Sequence, residues 1–572
     1  MMSRNNQSYF ASQPDVNISR SRFSIPFSHK TTMNAGKLVP FYLAEVLPGD
    51  SLTMDTTTLV RMSTPIFPVM DNAYIDTYYF YVPNRIVWNH WKELNGENNN
   101  TPWTENVEYN VPYTTAPQGG WDKGSIADYM GIPTNVDGFE VNSLPFRGYV
   151  QIWNEFFRDQ NYMRPAVYSV DDNTQQGHNT EYAPTAVLNS PEDPRFYSLY
   201  SAIGGGMCLP VSKFHDYFTS CTPQAQKGDP VTIPVFEKDL IPVGAFAAKH
   251  TSGVTKMVLG VQGAAAGNNV LGAVGGGAVS ALNWSGSGLG TTAAPVLSNG
   301  GGPANLYVDL STVNLGTISD LRQAYAIQSL LETDGRYGTR YTSILYGHFG
   351  VQSPDARLQR PEYLGGARVP INIDQVLQTS ATNDVSPQGN TAAFSLTVNT
   401  DNSFTKSFVE HGFVIGVCCI RTDHTYQQGI NKLWSRRRRY DYYWPELANI
   451  SAQPILRKEI YATDDPEYNE EVFGYQEPWA DYRYMPNRVS GAFRSGYGGT
   501  LDNWHYADYF TGADEGSFIA NGAFMCETAA NIDRTLAVQS SVEDQFLCDF
   551  YCQAIFTRPM PIYSIPGLTG HM

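Results

Sequence analysis

HGFVIGVCCIRTDHTYQQGINKLWSRRRRYDYYW, residues 411–444, decides how the chain is read. Gly412 to Ile420 is an apolar, β-branched run of the length of one buried strand. Neighbouring side chains of a strand point to opposite faces, so an unbroken apolar run predicts a strand covered on both. The run turns polar from Thr422 to Gly429 and then reaches Trp434, four consecutive arginines (Arg436, Arg437, Arg438 and Arg439), and Tyr440, Tyr442, Tyr443 and Trp444. A core strand thus leads almost directly into a knot of cations set among aromatic rings.

The rest of the chain makes that knot unusual. The 572 residues carry a formal net charge of −17, with only 16 % charged residues. Bulk attraction to polyanions is excluded as a global theme, and any such contact is local. Aromatic residues reach 13 %, with 36 Tyr and 10 Trp, a composition suited to large half-buried contact surfaces. Fifty Gly and 35 Pro imply many turns and favour a β architecture with long loops. The seven cysteines (208, 221, 418, 419, 526, 548, 552) form no CxxC pair and no zinc-finger spacing, and read as buried, reduced thiols. The first twenty residues are polar and lack a secretory h-region, and no apolar run reaches the length of a membrane span.

In chain order, residues 1–30 read as an irregular, locally basic arm carrying Arg4, Arg20, Arg22 and Lys30. From Lys37 to Val82 the pattern is β, with a turn at Pro48-Gly49, an alternating strand SLTMDTTTLVRM and an aromatic strand stopped by Pro83. A short helix is expected over Arg85–Leu94. A clearer one is expected over Arg147–Tyr162, where Tyr149, Ile152, Trp153, Phe156 and Phe157 recur at helical spacing. From about Val243 to Val313 the sequence becomes small and repetitive, as in GVQGAAAGNNVLGAVGGGAVSALNWSGSGLG, and predicts a surface insertion without a core of its own. A helix is expected from Thr317 to a stop at Gly335, followed by strands over Phe394–Val398, Phe404–Gly416 and Gln545–Thr557. Long connections favour a sandwich with elaborated loops over a meander.

Catalytic signatures are absent. There is no GxGxxG, Walker A, HExxH or GxSxG, and the ten His form no HxH or HxxxH pair. Asp171, Asp172, Asn173 and Glu181 miss the EF-hand spacing and read as a solvated acidic loop. Carboxylate pairs such as Asp122/Asp128 and Asp464/Asp465 have the chemistry of a glycosidase, whose geometry a sequence does not display. The arginine run leaves two compatible readings. Either some arginines meet phosphates while Trp434, Tyr440 and Tyr442 stack on bases, or they pair with the more numerous carboxylates of this or neighbouring chains.

Longer strings carry a resemblance. RGYVQIWNEFFRDQNY (147–162), KFHDYFTSCTPQAQKGDP (213–230), SPDARLQRPEYLGG (353–366), TYQQGINKLWSRRRRYDYYWPE (425–446), VFGYQEPWADYRYMPNRVSG (472–491) and RPMPIYSIPGL (558–568) resemble the major capsid proteins of the Microviridae, small single-stranded DNA bacteriophages, and most of all their gokushovirus branch. The resemblance covers nearly the whole chain outside about 243–316. It implies a mainly β fold, an eight-stranded antiparallel jelly roll of the viral capsid type with long inserted loops and a few short helices. Residues 31–572 would form the jelly-roll domain behind the arm of residues 1–30. It implies a non-enzymatic structural protein, without cofactor or metal, that forms a T=1 icosahedral shell around a circular single-stranded DNA genome.

Arg436, Arg437, Arg438, Arg439, Trp434, Tyr440, Arg4, Arg20 and Arg22 are then the candidate DNA contacts. The insertion 243–316 sits where the family carries a variable protrusion at the threefold axes, and Asn268, Asn269, Asn283 and Trp284 are its candidate host contacts. The expected partners are further copies of the chain, the genome, a small basic DNA-binding peptide, an internal scaffolding protein, a DNA pilot protein and a host receptor. Assembly is expected in the bacterial cytoplasm. The competing reading is a β-rich carbohydrate-acting enzyme or receptor-binding protein built on Trp/Tyr platforms and a carboxylate pair.

Overall fold

The computed structural model describes residues 18–97, 108–183, 194–229, 231, 243–247, 259–260, 270–271, 304–308, 318–380, 388–389, 391–511 and 522–563. The chain divides into two compact units, one of residues 1–227 and 332–572, the other of residues 228–331.

The first unit is an antiparallel β sandwich. Its strands are β1 (Ser21–Met33), β2 (Val39–Val46), β3 (Ser51–Met62), β4 (Ala73–Pro83), β5 (Glu362–Pro370), β6 (Thr397–Ser407), β7 (Gly412–Thr422) and β8 (Phe546–Arg558). One sheet has the order β1-β8-β3-β6 and the other β5-β4-β7-β2. Alternation explains the first sheet. In β3, Leu52, Met54, Thr56, Thr58, Val60 and Met62 point inward; in β8, Phe546, Cys548, Phe550, Cys552, Ala554 and Phe556 do so. The two sheets meet through rings: Phe41 of β2 stacks on Phe550 of β8 at 4.5 Å, and the Tyr79 hydroxyl of β4 lies 2.7 Å from Thr56 Oγ1 of β3.

Strand β7 is buried on both faces, as its apolar run predicts. Its inner face meets the opposite sheet and its outer face is covered by helix α1 (Leu144–Ile152), which continues as a π turn over Trp153–Phe157. Gly148 permits the close approach, since a Cβ there would lie 3.1 Å from Ile415 Cδ1 and 3.5 Å from Val82 Cγ1. The Tyr149 hydroxyl donates to the Leu38 carbonyl at 2.6 Å and accepts from the Leu209 amide at 3.1 Å, tying the helix to both neighbours. All seven cysteines are buried and unpaired.

Several expectations need correction. The last residues of the basic arm are not irregular: Ser21–Met33 pairs along its whole length with β8, from Ser21 opposite Arg558 to Met33 opposite Phe546. As an edge strand with mostly exposed side chains it lacks the inward apolar alternation that reveals a strand. The helix expected over Arg85–Leu94 is two single turns, Asn84–Val87 and Trp91–Leu94, interrupted by extended backbone at Trp88. The helix expected over Arg147–Tyr162 starts at Leu144 and gives way to extended backbone at Arg158, before Pro165 is reached.

Helix α2 (Ile318–Tyr337) runs through Gly335 and stops at Gly338, which takes φ +96°. Helix α3 (Tyr341–Phe349) falls in a Tyr/Gly-rich stretch that carried no helical reading. The single strand expected over Phe404–Gly416 is two, β6 and β7, in opposite sheets.

In the second unit, the small-residue stretch is not without regular backbone. Val243–Ala247 pairs antiparallel with Ala304–Val308, and Leu259–Gly260 with Val270–Leu271.

Candidate nucleic-acid interface

After β7 the chain leaves the core through a polar run held almost residue by residue. Thr422 Oγ1 donates to Glu527 at 3.1 Å. His424 lies between two carboxylates, with Nδ1 2.8 Å from Asp508 Oδ2 and Nε2 3.0 Å from Glu527 Oε2. Asn531 donates to Asp508 at 2.9 Å, and the Lys213 ammonium stands 3.9 Å from the same carboxylate. Burial and Lys213 push the His424 pKa down, but Asp508 and Glu527 outweigh them and lift it to about 9. Asp508, against the upward push of burial, is held well below the usual carboxylate range by Lys213 and His424. Gln427 bonds both ways with Ser495, and Gln428 with the backbone of Phe510. Gly429 passes so close to Glu459 that a Cβ would sit 1.9 Å from its carbonyl oxygen, which only glycine avoids.

This anchoring presents the loop that follows. Asn431 caps a 3-10 turn over Lys432–Ser435 by accepting from the Leu433 amide at 2.9 Å. Asp441 Oδ2 accepts from the amides of Arg437 and Arg438 at 2.8 and 2.7 Å, which folds the arginine run around one carboxylate. Those amides hold the Asp441 carboxyl below its ordinary pKa.

The four arginines then part company. Arg436 turns inward: its side chain is 7 % exposed, it is paired with the equally buried Asp481, and its guanidinium lies 4.2 Å over the Tyr482 ring. Arg439 lies 4.9 Å over Trp444, whose Nε1 donates to the Arg439 carbonyl at 3.1 Å. Arg437, Arg438 and Arg439 are exposed, and none makes an ion pair among the described residues.

Arg436, Arg437, Arg438, Trp434 and Tyr440 converge on one hollow of about 720 Å³, whose wall also holds Lys432, the Lys458–Glu470 ion pair, Asp441 and Glu459. Trp434 and Tyr440 are each 73 % exposed. A second cavity of about 360 Å³ shares Lys432, Trp434 and Glu459 with it and adds Tyr217, Tyr484, Arg488 and Arg494. Burial pushes the Glu459 carboxyl up, which lowers the negative charge it sets against an anion. Anchored backbone, unpaired guanidinium groups and projecting rings together can grip phosphates and stack unpaired bases.

The other candidates lie elsewhere. Arg20 and Arg22 are exposed at the start of edge strand β1, a different element. Arg4, and the insertion residues Asn268, Asn269, Asn283 and Trp284, fall outside the described residues. The carboxylate pairs contain groups bonded to backbone amides: Asp128 accepts from Gly124 at 2.8 Å, and Asp465 caps the turn Pro466–Glu470 through Glu467. Asp171 and Asp172 are bonded to Ser169, Asn173, Trp88 and His90. The His424 cluster escaped the sequence reading because Asp508 and Glu527 are 84 and 103 residues away.

Comparison with known proteins agrees with the resemblance read from the residues. Residues 11–568 match the family described as capsid protein (F protein). "Capsid protein VP1" of Bdellovibrio phage phiMH2K is 39 % identical, covering 99 % of both chains. "Capsid protein VP1" of Chlamydia phage 1 is 38 % identical over 98 % of this chain and 97 % of its own. That of Spiroplasma virus 4 is 39 % identical over 96 % of each.

Proposed function

The chain belongs to the phage capsid protein (F protein) family, and from that membership we propose that its copies close into a T=1 icosahedral shell around a circular single-stranded DNA genome. The sheet orders β1-β8-β3-β6 and β5-β4-β7-β2 support reading the sandwich as an eight-stranded jelly roll. Subunit contacts come from its aromatic and apolar surfaces. The Trp434–Tyr440 hollow meets the genome on the inner side of the shell. The observation that carries this is the gathering of unpaired guanidinium groups and exposed rings in one hollow of a chain with net charge −17. Neutralisation of the remaining phosphates falls to the small basic peptide. The insertion 243–316 faces outward for host attachment, and scaffolding and pilot proteins assist assembly in the host cytoplasm.

The test is the triple substitution Arg437→Gln, Arg438→Gln, Arg439→Gln, which leaves Arg436 in place. Particles should assemble with reduced genome retention. Binding of single-stranded DNA by the purified subunit should lose about 2 from the slope of log K against log salt, at about 0.7 per phosphate. Loss of assembly, with unchanged DNA content in the particles that remain, would place these arginines in subunit contacts instead.

A further inference from the structure

The stretch Thr391–Thr400 (TAAFSLTVNT) runs as a hairpin strand into β6 and alternates the wrong way round for a lone subunit. Ser395 and Thr397 point inward and are 5 % and 2 % exposed, while Phe394, Leu396 and Val398 point outward and are 49 %, 37 % and 58 % exposed. The inward hydroxyls are satisfied locally: Ser395 Oγ donates to the Asn372 carbonyl at 2.8 Å, and Thr397 Oγ1 accepts from the Asn372 amide at 2.8 Å. Strands with one wet face place polar groups on that face, and this strand does the opposite.

Its surroundings sharpen the contrast. Much of the same outer face of the β1-β8-β3-β6 sheet is dressed for water, although Leu547 and Tyr551 of β8 are exposed there as well. Thr57 meets Thr400 at 3.1 Å, Thr53 meets Thr405 at 3.2 Å, Ser51 meets Ser407 at 2.7 Å, and Lys30 pairs with Asp549 at 3.1 Å. From Thr400 back toward the hairpin the hydroxyls give way to Val398, Leu396, Phe394 and, across the hairpin, Val376, which is also exposed. β6 ends its sheet, so the stripe lies along an edge. The stripe carries no cation and exposed Asp374 lies directly across from Phe394 on the same face, so it offers phosphates nothing and its cover must be largely apolar.

We propose that Phe394, Leu396 and Val398 are covered in the particle by a second copy of this chain. The inference rests on the shell reading above, which supplies that copy as the neighbour every subunit has, and it names a surface through which copies meet. The pattern inversion is then the trace of an interface written into a strand: the outward side chains are core residues of the assembly and surface residues of the subunit.

The experiment places a photo-crosslinking side chain at one position, Phe394→p-benzoylphenylalanine, in particles assembled from the full chain, with wild-type particles in parallel. Irradiation should give an adduct of twice the 63.5 kDa chain mass. An adduct to DNA or to a smaller protein, or no adduct, overturns the proposal. A wild-type chain that never forms closed particles defeats the shell reading itself. A second variant, Phe394→Asp, guards against a trivial failure. It should leave the melting temperature of the unassembled subunit within a degree or two while closed particles fall at least ten-fold. Normal particle yield, or a subunit that melts well below wild type, overturns the inference.

Discussion

At the scale of single residues, His424 shows how one buried side chain holds distant segments together. Its partners come from two later loops, and both of its ring nitrogens are bonded to carboxylates, so the folded chain keeps it protonated. The folded pKa of about 9 lies above the ordinary value of 6.5. The stabilisation is therefore complete below pH 6.5 and fades as pH rises through 9, by about 3 kcal/mol in total. Urea unfolding of the subunit should show that decline from neutral to alkaline pH in wild type and a flatter profile in His424→Gln. His424→Ala leaves Asp508 and Glu527 facing each other and should cost about 3–5 kcal/mol at pH 7. The arginine run splits in the same terms. Arg436→Gln strands the buried Asp481 carboxylate and should cost about 3–5 kcal/mol in the same measurement. The exposed trio should change subunit stability by less than about 0.5 kcal/mol. Four identical letters gave no sign of this division, because which guanidinium turns inward is set by Asp481, forty-five residues away.

Elements were legible where their side chains alternate against a core and obscure where they do not. QFLCDFYCQAIFTR reads as a strand because every second residue from Phe546 is buried, and GFVIGVCCI because both of its faces are. β1 was missed because it hangs on the sheet through backbone pairing with β8, which leaves no period in its side chains. The split between β6 and β7 was missed because Phe408, buried in the turn, and Val409 carry apolar character across it. Helix α1 was found but mis-bounded: Ser143 and Pro145 open it earlier than the aromatic spacing suggests. Its seating on β4 and β7 depends on Gly148. Gly148→Val should push the helix off Ile415 and Val82 and cost about 1–3 kcal/mol, read from the urea midpoint at constant m-value.

For the whole molecule, the family was legible because unusual strings persist from residue 147 to residue 568, and the match over residues 11–568 bears it out. The shape and role of the stretch 243–316 were not, since small residues without a period specify little. If it is a tolerated excursion for host attachment, deleting residues 255–300 should leave particle yield and diameter unchanged in electron micrographs while lowering adsorption at least ten-fold. Unfolding of the subunit would show instead that the stretch belongs to the core. The pairing of β1 with β8 carries a consequence for the chain's birth. Met33 leaves the ribosome 513 residues before its partner Phe546. At about 5–20 residues per second that is a wait of roughly half a minute to two minutes. Until then β3 lacks the neighbour that lies between it and β1, and its backbone edge stays open to other nascent chains. A subunit of this design closes its first sheet only once β8 has been made, so unfinished chains must be kept apart until then.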